Sequence, residues 1–394
     1  MSAARPLKIA VVAGEESGDL LGADLVAALK AATGREVTLV GVGGRHLQAH
    51  GLVSLFDAGD IALMGFSAVL RDLPRLFKRI GQTARAIIAE MPDCLITIDN
   101  PDFTLRVAKK VRAANPAIPI VHYICPSVWA WRPGRALAMK PHVDHILCIL
   151  PFEPAELDRL GGPPGTFVGH RLTVDPGVIT AGRAQAAKRD LSADREKTLL
   201  LLPGSRSGEV SRLIGSFGET AAALRSRGHK LRLVLPTVPQ VEDLVASSVS
   251  GWDQKPEIVL DAAGKWQAFG EADGALAASG TVSLELALAG VPLVSCYKLD
   301  PVARVAQRFI TTWSASLPNL IADRTVVIEV YNQYMRPQWL ARHLEGLFCD
   351  TGFRRWQKDG FLDVSRRMAT DRPSGEIAAE IVMQYVKGGR GAGE

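Results

Sequence analysis

Short apolar runs alternate with helical patterns along most of this chain, and that alternation is the tightest constraint on its fold. Strands separated by helices pair in parallel, and a parallel sheet needs both faces covered. Its strands therefore read as continuous apolar runs rather than as alternating ones. In the first half, strands are expected at Ile9–Ala13, Val37–Val42, Cys94–Ile98, Ile120–Ile124 and His145–Ile149. In the second half they are expected at Thr198–Leu202, Leu231–Leu235, Glu257–Leu260, Ala275–Ala277 and Pro292–Cys296. Helical patterns at Leu20–Ala32, Leu105–Ala114, Val210–Arg227 and Ser283–Ala289 fit between them. The stretch Leu172–Lys197 is polar and small, and reads as the connection between two similar halves. Gln338–Lys387 reads as helical without a strand. The expected fold class is α/β: two doubly wound domains facing a cleft, with ligands at the strand ends.

Charge and cysteine content narrow the function. The net charge of +5 is not gathered into Lys/Arg runs, which argues against nucleic acid. It suits an anionic substrate or an anionic membrane surface. Five cysteines without a CxxC pair give neither a disulfide framework nor a zinc site. IAVVAG after Lys8 is too short for a signal peptide, and no apolar run reaches the roughly 18 residues of a span. A cytoplasmic protein with at most peripheral membrane contact is expected.

Candidate chemistry clusters just after the strands. In Ala277–Val294 a glycine turn carries Ser279, Gly280 and Thr281, and the following helix carries Glu285 one turn in. Helix N-terminal N–H groups and the helix dipole favour an anion, and the carboxylate can accept from ribose hydroxyls. A nucleotide-diphosphate site and an ordinary Ser/Thr-capped helix both fit these residues. Leu200–Leu202 leads into Pro203-Gly204-Ser205-Arg206, an oxyanion cradle without the Walker pattern, in which Arg206 can neutralise a diphosphate. The turn Ser316–Leu320 offers the Asn319 amide to phosphate or uracil.

In the first half, Gly14-Glu15-Glu16-Ser17-Gly18-Asp19 fails the dinucleotide spacing, and its acids would repel a pyrophosphate. Sugar hydroxyls suit Glu15 and Ser17 better, a polar turn capped by Ser17 or Asp19 being the plainer alternative. Asp99 leaves the end of a strand just before Pro101, as a general base or as a solvated loop acid. Asp102 reads as the cap of a helix from Thr104. The two acids are three apart, not a D-x-D pair, and no metal site is expected. Trp129, Trp131 and Arg132 either line a cleft or fill a gap between layers. His122 reads as a core histidine, while His170 lies near the domain connection. Leu63–Ile80 interleaves Met64, Phe66, Leu73, Leu76 and Phe77 with Arg71, Arg75, Lys78 and Arg79. That pattern fits an interfacial helix or a core-facing one. Val302–Trp313 is similar.

Taken together, AGEESGD (Ala13–Asp19), MGFSAVL (Met64–Leu70), IDNPDF (Ile98–Phe103) and PSVWAWR (Pro126–Arg132) are distinctive. FVGHRL (Phe167–Leu172), LLPGSRSGEV (Leu201–Val210), ASGTVSLELALAGVP (Ala278–Pro292) and SLPNLIADR (Ser316–Arg324) follow in order. The chain resembles the lipid-A-disaccharide synthase family, inverting glycosyltransferases of the two-domain GT-B fold. The resemblance implies transfer of a diacylglucosamine from UDP-diacylglucosamine to the 6-hydroxyl of diacylglucosamine 1-phosphate. It further implies Asp99 as base, Glu15 near the sugars, and Arg206, Ser279, Gly280, Thr281, Glu285 and Asn319 on UDP. It also implies a reaction without metal or cofactor, peripheral attachment to the inner membrane, and C-terminal exchange within a homodimer. Residues 1–172 would bind acceptor and membrane, and 173–340 the UDP-sugar. The segment 341–394 would pack back on the first domain or on a second subunit. After Asn319 the family commonly reads V-V-P-E-L, where this chain has Val326-Val327-Ile328-Glu329-Val330.

Overall fold

The computed structural model describes residues 5–62, 69–188, 190–192, 194–299 and 310–388. The chain forms two compact units, Met1–Arg171 with Thr370–Glu394, and Leu172–Ala369.

The first unit holds β1 (Leu7–Ala13), β2 (Val37–Val42), β3 (Cys94–Ile98), β4 (Ile120–Tyr123), β5 (His145–Cys148) and β6 (Gly165–Phe167). They form one parallel sheet in the order β2-β1-β3-β4-β5-β6. Successive side chains point to opposite faces, and both faces are covered. Leu7, Ile9, Val11 and Ala13 enter a core with the helices Glu16–Thr33 and Ser374–Gly388. Ala10 and Val12 enter another with the helices Val69–Glu90 and Pro101–Ala114. The terminal helix is pinned by Tyr385, whose hydroxyl lies 3.0 Å from His145 Nδ1, while His145 Nε2 meets Thr166 Oγ1 at 3.0 Å.

The second unit holds β7 (Lys197–Leu202), β8 (Leu231–Pro236), β9 (Glu257–Val259), β10 (Gly274–Ala278), β11 (Leu293–Tyr297) and β12 (Ile328–Tyr331). This sheet is also parallel, in the order β12-β11-β10-β7-β8-β9. Leu199, Leu201, Leu276 and Val294 pack there with the helices Ser207–Ser226 and Pro337–Phe348. The helix Gly352–Met368 also belongs to this unit, and the chain re-enters the first at Thr370.

Three aspartates index neighbouring strands at their amino ends. Asp93, Asp144 and Asp273 each stand one residue before a strand. Their carboxylates accept the N–H of Lys8 (2.9 Å), Ile120 (2.8 Å) and Thr198 (2.8 Å) on the adjacent strand. Their own N–H groups donate to the carbonyls of Lys8, Ile120 and Thr198. Each carboxylate also holds an arginine: Arg5, Arg112 and Arg195. Asp273 has no exposed side-chain surface, and it pairs in addition with Lys188 at 2.7 Å.

All ten expected strands are present, with ends shifted by two residues at most. β6 and β12 are additional. So is the helix Pro176–Ala187, inside the stretch read as a connection. Its start was written in the sequence: Asp175 accepts from Gly177 and Val178 N–H, and Pro176 opens the first turn. All five cysteines are free, as expected. Among the described residues, no helix is long and apolar enough to cross a membrane.

Candidate active site

A doubly wound sheet has a crevice where its connections diverge to opposite sides, at the carboxyl ends of two adjacent strands. In the second unit those strands are β7 and β10. The loops leaving them are the two that the sequence singled out as anion cradles. They line a cavity of about 390 Å³ with Gly204, Arg206, Ser279, Gly280, Thr281 and Glu285 on its wall. Gly204 (φ +115°) and Gly280 (φ +153°) adopt backbone conformations that side chains disfavour, so glycine is required at both. Beyond them start the helices Ser207–Ser226 and Thr281–Leu288, whose first N–H groups present positive ends. Arg206 is the residue before the first helix, with its guanidinium mostly in solvent and 3.3 Å from Glu209. Lys265, which the sequence reading passed over, meets Glu285 at 2.6 Å on the same wall.

Behind this wall lies a polar network. Ser279 Oγ donates to the Ala315 carbonyl at 2.7 Å. The Glu329 carboxylate accepts from Ala315 N–H at 3.0 Å, Tyr331 hydroxyl at 2.6 Å, Asn319 Nδ2 at 3.0 Å and the Ser314 hydroxyl. Asn319 thus corrects an expectation. It is 1% exposed, donates to Val327 O and Glu329, and accepts the N–H groups of Val326 and Val327 at 2.8 Å. Its amide is committed to the start of β12 and is not on the cavity wall. The signal that reveals this is Glu329, an acid inside an apolar run that needs internal donors.

In the first unit the connections diverge between β1 and β3, and the loops leaving those strands carry Glu15 and Asp99. Glu15, Glu16 and Ser17 are exposed, and Glu15 stands just before the helix Glu16–Thr33. Gly14 is demanded by close approach, since a Cβ there would come within 2.5 Å of Ile61. Asp19, by contrast, is buried and accepts from the N–H groups of Gly44 (2.6 Å), His46 (2.8 Å) and Leu47 (3.3 Å). Asp99 (φ +50°) and Asn100 (φ +42°) are consecutive left-handed residues that turn the chain off β3 into a helix opened by Pro101. Such strain persists where the surroundings hold it, and it concentrates at functional sites. Thr104 Oγ1 clamps the turn by donating to the carbonyls of Asp99 (2.7 Å) and Asn100 (3.0 Å). Burial raises the Asp99 carboxyl above its ordinary value, against a smaller opposing effect of the Asn100 N–H. Asp102 does not cap: the helix already starts at Pro101, and the carboxylate pairs with Arg135 at 2.8 Å.

After β5, Glu153 is buried and pushed up to about 8 by desolvation. It accepts from Ile149 and Leu150 N–H and from Trp129 Nε1 at 3.3 Å, fixing the tryptophan loop. With Cys125 and Cys148 it forms the one close group of metal-type ligands among the described residues. The thiols donate to the Pro126 and Ile146 carbonyls. Burial also pushes His122, His145 and His170 down to about 4. His122 is a core residue, sharing a 2.8 Å bond with Thr97.

The apolar-basic stretch divides. Met64 and Phe66 lie outside the described residues, and nothing is described of the Leu73 side chain. Leu76 is 7% exposed and packs in the core with Ile80 and Ile87, which corrects its membrane-facing assignment. Phe77 is 52% exposed. Arg75 and Arg79 are paired with Asp60, so part of the basic face is spent internally.

The sequence profile of the lipid-A-disaccharide synthetase family matches residues 9–373. The lipid-A-disaccharide synthase of Nitrobacter hamburgensis is 45% identical over 386 residues, covering 98% of this chain and 97% of its own. That of Rhodospirillum centenum is 41% identical, covering 97% and 95%. Among solved structures, Staphylococcus aureus MnaA in its UDP co-structure aligns with a TM-score of 0.61 at 15% identity, covering 97% of this chain and 96% of its own. Acinetobacter baumannii MurG aligns at 0.59 with 14% identity, covering 96% and 99%. Those structures share the GT-B fold. By profile and relatives alike, the chain belongs to the lipid-A-disaccharide synthetase family of glycosyltransferases.

Proposed function

We propose that the chain transfers 2,3-diacylglucosamine from its UDP conjugate to the 6-hydroxyl of 2,3-diacylglucosamine 1-phosphate, with inversion. The products are the β-1,6-linked disaccharide 1-phosphate and UDP. The observation that carries this reading is the cavity at the β7/β10 divergence, where an arginine, two glycine turns, two helix N-termini and a glutamate converge. Diphosphate suits the turns and Arg206, and ribose suits Glu285. Family membership supplies the sugars and their acyl chains.

The acceptor O6–C1 bond forms as the bond from C1 to the diphosphate oxygen breaks. Asp99 takes the O6 proton, and its burial makes it a stronger base than an exposed carboxylate. Arg206 and the helix N-termini take up the charge of departing UDP. Glu15 and Ser17, exposed beside the β1/β3 divergence, suit sugar hydroxyls. Charge on the leaving group is thus met by protein groups, and no cofactor is assigned. Lipid substrates require contact with a membrane surface, which we assign to the helix Val69–Glu90 through Phe77 and Lys78 at an anionic inner membrane. A homodimer by exchange of Ser374–Gly388 would form its contact with Glu16–Thr33 between two chains, and sedimentation tests it.

The deciding assay incubates the protein with UDP-2,3-diacylglucosamine and 2,3-diacylglucosamine 1-phosphate, with and without chelator. Disaccharide and UDP in equal amounts under both conditions are expected. UDP without disaccharide would point to a hydrolase. Equal use of UDP-N-acetylglucosamine as donor would remove the lipid assignment.

A further inference from the structure

We propose that Lys265 is a positioning residue for the nucleotide: its ammonium fixes Glu285 in the orientation that accepts ribose hydroxyls. The proposal rests on Glu285 being the ribose acceptor. The two residues come from different helices, Ala262–Glu271 and Thr281–Leu288, and meet at 2.6 Å through Oε2. Both side chains are partly buried, at 28% and 16% exposure. The ammonium in turn lies 4.4 Å from the Trp266 ring centre and 5.6 Å from that of Phe269.

This floor is rigid. Trp266 sits edge-on to Phe269 at 5.2 Å, and a Cβ on Gly177 would collide with its ring. Phe269 is fully buried. A glutamate with no such partner would have to order three side-chain torsions on meeting a ligand, at an entropic cost to binding. The ion pair orders them beforehand through Oε2 and leaves the Oε1 lone pairs for hydroxyl donors. The aromatic floor also accounts for the choice of a cation, since ring faces attract an ammonium.

Calorimetric titration of wild type, Lys265→Met, Lys265→Arg and Glu285→Gln with UDP and with 2′-deoxy-UDP tests this. Wild type is expected to prefer UDP about tenfold, the order expected for a hydrogen bond to a charged acceptor. Lys265→Met should cut that preference below about twofold, with 2′-deoxy-UDP affinity nearly unchanged, and Lys265→Arg should restore it. Should Lys265→Met lose its thermal transition, Lys265→Gln takes its place. If Glu285→Gln keeps the preference, or wild type has none, the ribose reading of Glu285 fails. If Glu285→Gln loses it and Lys265→Met keeps it, the Lys265 proposal alone fails. Equal loss of both nucleotides in Lys265→Met would make Lys265 a ligand of the diphosphate and overturn the positioning role.

Discussion

The two units share a parallel six-stranded sheet and differ in what they place at its carboxyl edge. Along β3, β4 and β5 and the loops leaving them, the first unit holds titratable groups whose proton affinity burial has shifted. Asp99 and Glu153 are raised, and His122 is lowered. It also stores strain there, in the left-handed non-glycine residues Asp99, Asn100, Ile124 and Arg132. The second unit relieves strain with Gly204 and Gly280, and the acids of its cavity are ion-paired, Glu209 with Arg206 and Glu285 with Lys265. On the proposed function, one edge would handle a proton and the other would hold an anion. Similar scaffolds can thus divide a transfer reaction, because burial and pairing tune charge independently of topology.

The sharpest way to break this contrast is Asp99→Asn. Turnover should fall by roughly 10²–10⁴-fold, the range of general-base catalysis, while UDP binding stays within error in a titration. A near-wild-type rate would remove Asp99 from the role of base. Next in size is a stability contrast between equivalent aspartates. Asp273→Ala leaves Lys188 and Arg195 without their buried partner and should cost about 3 kcal/mol in denaturant unfolding. Asp93→Ala, whose Arg5 is exposed, should cost about 1 kcal/mol or less. Leu76→Ser and Phe77→Ser separate core from surface. The first should destabilise by about 2–5 kcal/mol, and the second should leave the melting curve in place while weakening binding to anionic liposomes. Arg206→Ala should do the reverse of Asp99→Asn, raising the donor KM about tenfold or more through the lost charge-assisted bonds.

A further effect is one of pH. Folded Glu153 holds its proton up to about 8, whereas the unfolded chain releases it near 4.5. Its contribution to stability is therefore complete below about 4.5 and is lost as pH rises through about 8. Between pH 6 and 9 the wild-type melting temperature should fall several degrees more than that of Glu153→Gln. Parallel curves would show that Glu153 does not carry the proton.

These contrasts were unequally legible in the sequence. Strands such as Ile9–Ala13 and Cys94–Ile98 declared themselves, because a strand buried on both faces reads as a largely apolar run. β6, three residues long with a glycine, has no room for a pattern, and β12 hides one behind Glu329. The loops after β1, β3, β7 and β10 were legible because glycine, proline and polar residues interrupt apolar runs there. The orientation of a side chain was not. Asn319 turns inward to Glu329, Leu76 is buried while its neighbour Phe77 is exposed, and Lys265 reads in sequence like any solvated lysine.

The aspartates at the amino ends of β3, β5 and β10 carry a consequence for how such a protein can change. Each sets its strand against a neighbour from the rim opposite the carboxyl-end loops. The alignment marks and the working parts of each sheet thus occupy different rims. A chimaera that takes its carboxyl-rim loops from a distant relative should keep its strands in step.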